Sequence, residues 1–383
     1  MNINFHYYLI KALAIEAGLT EGEAQTLALT SQMVDDVTPD FFRGEQFATK
    51  KGNMLKIYVQ DEPSDYFKEN GMVGEIGDGY YQICPSITSF GLLDARKEFY
   101  QLESVIPFHF FVEDYTEDPA DRSTLRTKPA LPGSFLYDSI DAIIGNMVVI
   151  QNQGTGSQLQ RTRDLIRVGM LLHVFADTFA HDGFSGSQGW ENKAKMIKIF
   201  DSGLEERARA GLEHFSDRLG DLTACGHGQI SHLPDVCGAA FWYKYMASDG
   251  DGYVLNKCRY NRFIFEQCAC YIFEWFMKLA GTLQQAEERW EHIRKRLMDT
   301  ACLVASEIDD VAHADELAAI WADNYFGDPN MACRLNYNMN YLFDQQEAGD
   351  IEGVPIYHFG NPENFYLFNE VTYDLRRCVM GTF

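Results

Sequence analysis

LLHVFADTFAHDGFSG, residues 171–186, sets His173, Asp177 and His181 four residues apart within an otherwise apolar run. On a helix of 3.6 residues per turn that spacing makes one polar stripe. Leu165, Val168, Gly169, Leu172 and Phe175 trace a wide apolar face along the same segment, so the stripe is expected inside the protein. Burying a carboxylate between two imidazoles costs several kcal/mol unless something compensates it. A divalent metal is the most economical partner, because a histidine and a carboxylate one turn apart can share one ion and the next histidine can hold a second. The competing reading is of core polar residues satisfied by hydrogen bonds.

Working outward, helical periodicity recurs on both sides. Phe5 to Ala17 forms a first helix closed by Gly18, and Thr20 with Glu23 opens a second as a capping box, which runs to Asp36 before Pro39. Residues 39–133 show glycines, prolines and short runs such as LKIYV and YYQICPSI, and are expected to be a long loop-rich insertion with one helix near Gly91 to Glu103. Further helices are expected at Phe135 to Ile150, Gln158 to Ala180, Asn192 to Leu219 and Val236 to Ala247, with two more between Tyr253 and Asn324. The last sixty residues, rich in Asn, Tyr, Phe and Gly, look irregular or weakly β. The expected architecture is mostly α, with a metal-binding helical core over residues 1–250 and C-terminal helices and an irregular tail, 251–383, packed on it.

Three other regions carry groups of the same chemistry. His6 sits on the apolar face of the first helix, Asp35 and Asp36 end the second, and His109 lies in the apolar run VIPFHFFVED. His227, His232 and Asp235 share the loop GHGQISHLPD, where Asp235 could equally be a helix N-cap and the histidines exposed. Asp35 and Asp36 could equally cap a helix end, and His109 could be a hydrogen-bonded core histidine. His214, His292, His313 and His358 stand in polar runs and read as surface residues.

Composition narrows the function. The chain of 383 residues has 32 basic and 56 acidic residues, a net charge of -24, which opposes nucleic acid and anionic membrane surfaces. Bound divalent cations would offset that charge locally, so a buried pocket could still take an anionic group. Nine cysteines without a CxxC suggest core thiols in a reducing compartment. No run reaches the roughly 20 apolar residues of a membrane span, and no leader pattern opens the chain, so a cytoplasmic location is expected.

The ordered set FHYYLIKALA, SQMVDDV, IPFHFF, LLHVFADTFAHDGFSG and GHGQISHLPD resembles a family of uncharacterised bacterial and fungal proteins. In outline that family is similar to the zinc-dependent phospholipase C and single-strand nuclease superfamily, including the heterokaryon-incompatibility type C proteins. The resemblance covers about residues 1–250 and implies a multi-helix bundle of the zinc phospholipase C type. By that resemblance His6, Asp35 or Asp36, His109, His173 and Asp177 would hold a pair of zinc ions, with Asp177 bridging. His181, His227 and Asp235, with His232 as a weaker candidate, would hold a third. Two departures stand out. The HxxxDxxxH spacing is closer to the heterokaryon-incompatibility type, and the phospholipases' zinc-binding amino group of a processed N-terminus has no evident counterpart.

The chemistry this set implies is metal-assisted hydrolysis of a phosphoester, small-molecule or lipid, in which Asp35 or Asp36 orients or deprotonates a water. The resemblance points to zinc, two or three ions, although iron or manganese would suit the same His and carboxylate ligands. Two rivals stand beside it. One is an HD-type phosphohydrolase built on His181 and Asp182, which falls where the helix ends. The other is a structural or signalling protein in which a closed metal site knits the helices together.

Overall fold

The Thr20 hydroxyl accepts from the Glu23 amide at 3.3 Å while the Glu23 carboxylate accepts from the Thr20 amide at 3.0 Å, so the second helix, Glu21–Asp36, opens with the capping box that its sequence spells. Before it, a π-helical turn Asn4–Leu9 runs into the helix Ile10–Ala17, which ends on Gly18 at φ 90°, the left-handed conformation a glycine supplies without strain. The motif helix Gln158–Ala180 starts at Ser157, whose hydroxyl accepts from the Gln160 amide at 3.1 Å. The computed structural model describes residues 1–42, 45–49, 52–70, 72–77, 79–90, 98–113, 122–200, 225–250, 252–304 and 308–380.

The motif helix lies against Glu21–Asp36 at the closest approach glycine permits. A Cβ on Gly169 would stand 1.9 Å from Thr30 Oγ1 and 2.7 Å from the Leu27 carbonyl oxygen. This contact fixes the height of Asp35 against His173. Gly169→Ala is therefore expected to push the helices apart at a cost of about 1–3 kcal/mol. A denaturant midpoint that does not fall would refute that account.

The helices Phe135–Gln153, Asn261–Leu279 and Ala286–Leu303 complete the helical layer. One continuous core runs from Met1 to Val371, so Phe265, Trp275, Trp321 and Phe365 of the C-terminal segment pack in the same interior as Leu13 and Leu172. The fold is mostly helical with two small sheets. Among the described residues no helix is long and apolar enough to cross a membrane.

Several elements differ from the sequence expectation. The stretch 39–133 contributes strands β1 (Glu45–Thr49), β2 (Gly52–Val59), β3 (Val73–Gly77) and β4 (Tyr80–Ile83) to a sheet of order β3-β4-β2-β9-β8, with β1 on β2. That sheet is completed from the tail by β8 (Gln345–Ile351) and β9 (Val354–Phe359), β9 lying parallel to β2 with Tyr58 opposite Ile356. The tail then forms a helix, Pro362–Met380, opened by a proline in its first turn.

The helix expected at Val236 to Ala247 is instead strand β6 (Ala240–Tyr245), central between β5 (Ala194–Ile199) and β7 (Leu255–Tyr260). Its aromatic residues suit a pleated, two-sided position better than a helix. Of the helix expected at Asn192 to Leu219, residues 194–199 are β5 and 201–224 lie outside the described residues. Near Gly91 to Glu103, residues 91–97 lie outside the described residues, and the chain is helical over 98–109, its second part a π-helix.

Candidate metal centre

Four elements converge on one point. The motif helix presents His173 and Asp177 and ends at Ala180, so that His181 is its C-cap. Asp35 comes from the last turn of Glu21–Asp36. His6 and His109 both sit in π-helical turns, Asn4–Leu9 and Gln101–His109. The extra residue of a π turn re-aims a side chain that α geometry would carry past the site, a device frequent at functional centres. Two short 3-10 turns, Gly228–Ile230 and Leu233–Asp235, carry the loop from His227 to Asp235.

Asp177, only 1% exposed, is the hub. Its Oδ1 lies 2.5 Å from the Met1 α-amino nitrogen and 3.1 Å from His6 Nε2. Its Oδ2 lies 3.2 Å from His109 Nδ1, 3.3 Å from His173 Nε2 and 3.7 Å from His181 Nδ1. Asp35 Oδ1 adds a second carboxylate 3.6 Å from His109 Nδ1 and 3.8 Å from His173 Nε2. Alongside, Asp235 places Oδ1 3.1 Å from His181 Nε2 and Oδ2 3.2 Å from His227 Nε2. Three sets bring their ligand atoms within 4.8 Å of one another: His6, Asp35 and His173; His109, His173 and Asp177; His181, His227 and Asp235.

Backbone carbonyls around the cluster decide where the lone pairs point. His109 Nε2 donates to the Thr88 carbonyl at 3.0 Å, His181 Nδ1 to the His109 carbonyl at 2.5 Å, and His227 Nδ1 to the Ser231 carbonyl at 2.7 Å. In the neutral rings this leaves His109 Nδ1, His181 Nε2 and His227 Nε2 as bare acceptors aimed at carboxylate oxygens. Acceptor against acceptor at 3.1–3.2 Å is repulsive until a proton or a metal cation lies between them. Carbonyls that hold the outer ring nitrogen are also the usual second layer of a histidine metal site. The donor set therefore fits divalent ions.

The local charges are divided, for against the cost of burial Asp177 raises His109 and Asp235 raises His227 towards the protonated form. Burial would raise the Asp177 carboxyl, but His181, the Met1 ammonium and His173 outweigh it and hold it well below the usual range. Burial first, then His173 and the Met1 ammonium, push His6 well below its ordinary value, which keeps it in the neutral, ligating form. Asp35 behaves oppositely: burial lifts it to about 7 against the pull of His109. A cavity of about 430 Å³ opens onto the cluster, bordered by Asp35, His109, Asp177, His181, His227 and Asp235 and walled by Phe90, Val105 and Phe110. Asp35 remains 28% exposed towards solvent.

The structure thus brings His6, Asp35, His109, His173, Asp177, His181, His227 and Asp235 together. Asp36 turns away: Tyr337 and Gln32 both donate to its carboxylate, and it joins none of the three sets. His232 is 79% exposed at the rim, 4.0 Å from Asp235. Asp182, just past the helix end, pairs with Lys257. His292 and His358 are exposed, His313 is half-buried beside Asp310, and His214 lies outside the described residues.

Two contributions have no sequence signal of their own. One is the α-amino group of Met1, which corrects the expectation that an amine at the centre has no counterpart and also lies 3.3 Å from Asp235 Oδ1. The other is a pair on the β7 end. Asn261 Nδ2 donates to the carbonyls of Leu233, Pro234 and Val236 at 2.7, 3.2 and 2.8 Å, on both sides of Asp235. Arg259, fully buried, donates to Asn261 Oδ1 at 3.3 Å and to the Phe179 carbonyl at 3.1 Å. Together they brace His181 against Asp235. Asn261→Ala should lower metal affinity of the His181, His227 and Asp235 set about 10–100-fold. In a metal titration the variant should lose that one equivalent first, and unchanged stoichiometry and affinity would refute the brace.

A family model described as "Family of unknown function (DUF6765)" matches residues 1–382. Searches of the curated proteins and of the solved structures give no match.

Proposed function

The chain belongs to the DUF6765 family, and we propose that it is a metal-dependent hydrolase of a phosphoester, built on two or three divalent ions held by the His/Asp centre. The observation that carries this reading is the set of bare imidazole nitrogens aimed at Asp177 and Asp235 beside an open cavity. His6, Asp35, His109, His173 and Asp177 would hold one pair of ions, and His181, His227 and Asp235 the other position. Zinc is the ion that the resemblance to the phospholipase C superfamily favours. Bound there, such ions would hold phosphoryl oxygens, acidify a water and offset charge on the leaving oxygen.

The chain's own part follows from its geometry. Asp177 fixes the imidazoles around one point, and the carbonyls of Thr88, His109 and Ser231 keep three of them turned inward. Asp35, partly exposed at the cavity and lifted to about 7, is placed to orient a water or take its proton near neutral pH. Phe90, Val105 and Phe110 give the cavity an apolar wall suited to an organic group on the ester. A site open on one side favours turnover over a purely structural metal.

The test is elemental analysis of purified protein followed by a screen of phosphodiesters and phosphomonoesters. Hydrolysis should vanish on chelation and return with zinc, and Asp35→Asn should lower kcat by about 100-fold or more. Protein without stoichiometric metal would end the proposal.

A further inference from the structure

Behind the Asp235 loop two thiols meet. Cys237 Sγ and Cys302 Sγ stand 3.3 Å apart, one buried and the other partly open to solvent. Cys237 follows Asp235 by two residues, and Cys302 lies in the last turn of Ala286–Leu303. The two backbones touch here. A Cβ on Gly238 would stand 3.1 Å from the Cys302 carbonyl oxygen and 3.7 Å from its Cβ. Joining the sulfurs needs a contraction to about 2.05 Å, within reach of side-chain rotation when the chains already pack this closely. Nothing in the proposed hydrolysis uses either thiol.

We propose that Cys237 and Cys302 are a reversible disulfide pair, closed by peroxide, that fastens the Asp235 loop to the end of the Ala286–Leu303 helix. The partly exposed Cys302 is the sulfur that peroxide reaches. Its thiol sits below the ordinary value, first through the hydrogen bond with Cys237, against the upward push of burial, and then through Arg262. Its sulfur attacks a peroxide oxygen, the S–O bond forms as the O–O bond breaks, and one water leaves. Cys237 then attacks that sulfur, the S–S bond replaces the S–O bond, and a second water leaves. Two thiols are oxidised and one peroxide is reduced to two waters. Thiol–disulfide exchange with a small dithiol restores the pair.

The consequence for the centre rests on the proposed metal reading. With the disulfide closed, the segment two residues beyond Asp235 is tied covalently as well as by Asn261. The set of His181, His227 and Asp235 should then release its ion more slowly.

The full, metal-loaded chain is treated with hydrogen peroxide and its intact mass and non-reducing peptide map are read. The expected result is a loss of about 2 Da, reversed by dithiothreitol, with a cross-linked peptide joining Cys237 to Cys302 and no such loss in Cys302→Ser or Cys237→Ser. An unchanged mass, a gain of about 16 Da at Cys302 without a cross-link, or a cross-link between other cysteines overturns the pair. Extraction of metal by a chelator should be several-fold slower from the oxidised chain than from the reduced one, and equal rates overturn the fastening. Wild-type protein that holds no metal would sink the hydrolase reading while leaving the mass experiment to decide the disulfide.

Discussion

Asp177→Asn should empty the centre. The substitution keeps the volume of the side chain but replaces one acceptor oxygen with an NH2 group and removes the charge. Five nitrogens now face those two oxygens within 3.7 Å, those of Met1, His6, His109, His173 and His181. Losing an outer partner of a metal ligand already costs about 10–100-fold, so losing the shared carboxylate should cut metal affinity and kcat/KM by more than about 100-fold. In chelator the same variant should also be less stable, by about 3–5 kcal/mol, because the Met1 ammonium is left buried beside Asp235 alone. Metal per chain and a denaturation curve in chelator measure the two effects separately. A variant that keeps its full metal complement would remove Asp177 from the hub.

An extension ahead of Met1 should do comparable damage by a different route. The α-amino nitrogen is fully enclosed between Asp177 and Asp235, and the two carboxylates hold the ammonium up to about 11 against the opposing cost of burial. A peptide bond there substitutes a neutral amide for the cation and pushes a further residue into the cavity that Met1 and Asn2 border. Removing one member of a buried ion pair costs about 3–5 kcal/mol. Protein tagged at the N-terminus should therefore unfold at lower temperature and carry less metal than protein tagged at the C-terminus. Equal behaviour of the two preparations would show that the buried amine matters to neither property.

The sequence made some of this legible and hid the rest for identifiable reasons. His173, Asp177 and His181 are visible because helical spacing turns two four-residue steps into a stripe, and Thr20 with Glu23 is visible because a capping box is local. Asp35 and Asp36 look alike in sequence, yet only Asp35 turns to the centre, a choice made by Tyr337 reaching Asp36 from the far end of the chain. The α-amino group of Met1 carries no side-chain letter to read. Asn261 and Arg259 look like an ordinary polar pair at a strand end until the fold sets backbone carbonyls around them. The aromatic run of β6 leans towards a strand by residue type, but its periodicity does not separate strand from helix, and pairing with β5 and β7 decides it. Cys237 and Cys302 are separated by 65 residues, too far for any motif to join them.

The parallel pairing of β2 with β9 bears on how the molecule comes into being. Tyr58 and Ile356 are neighbours in the sheet but about 300 residues apart along the chain, and contacts of such separation close late in folding. The N-terminal turn that carries His6 is likewise held by Ala301, Asp309 and Trp321. During synthesis the histidines and aspartates of the first 235 residues thus emerge long before the segments that clamp them. Ions bound as proposed would then enter a finished scaffold rather than nucleate its assembly, so folding rates measured with and without metal should be alike while unfolding slows in its presence.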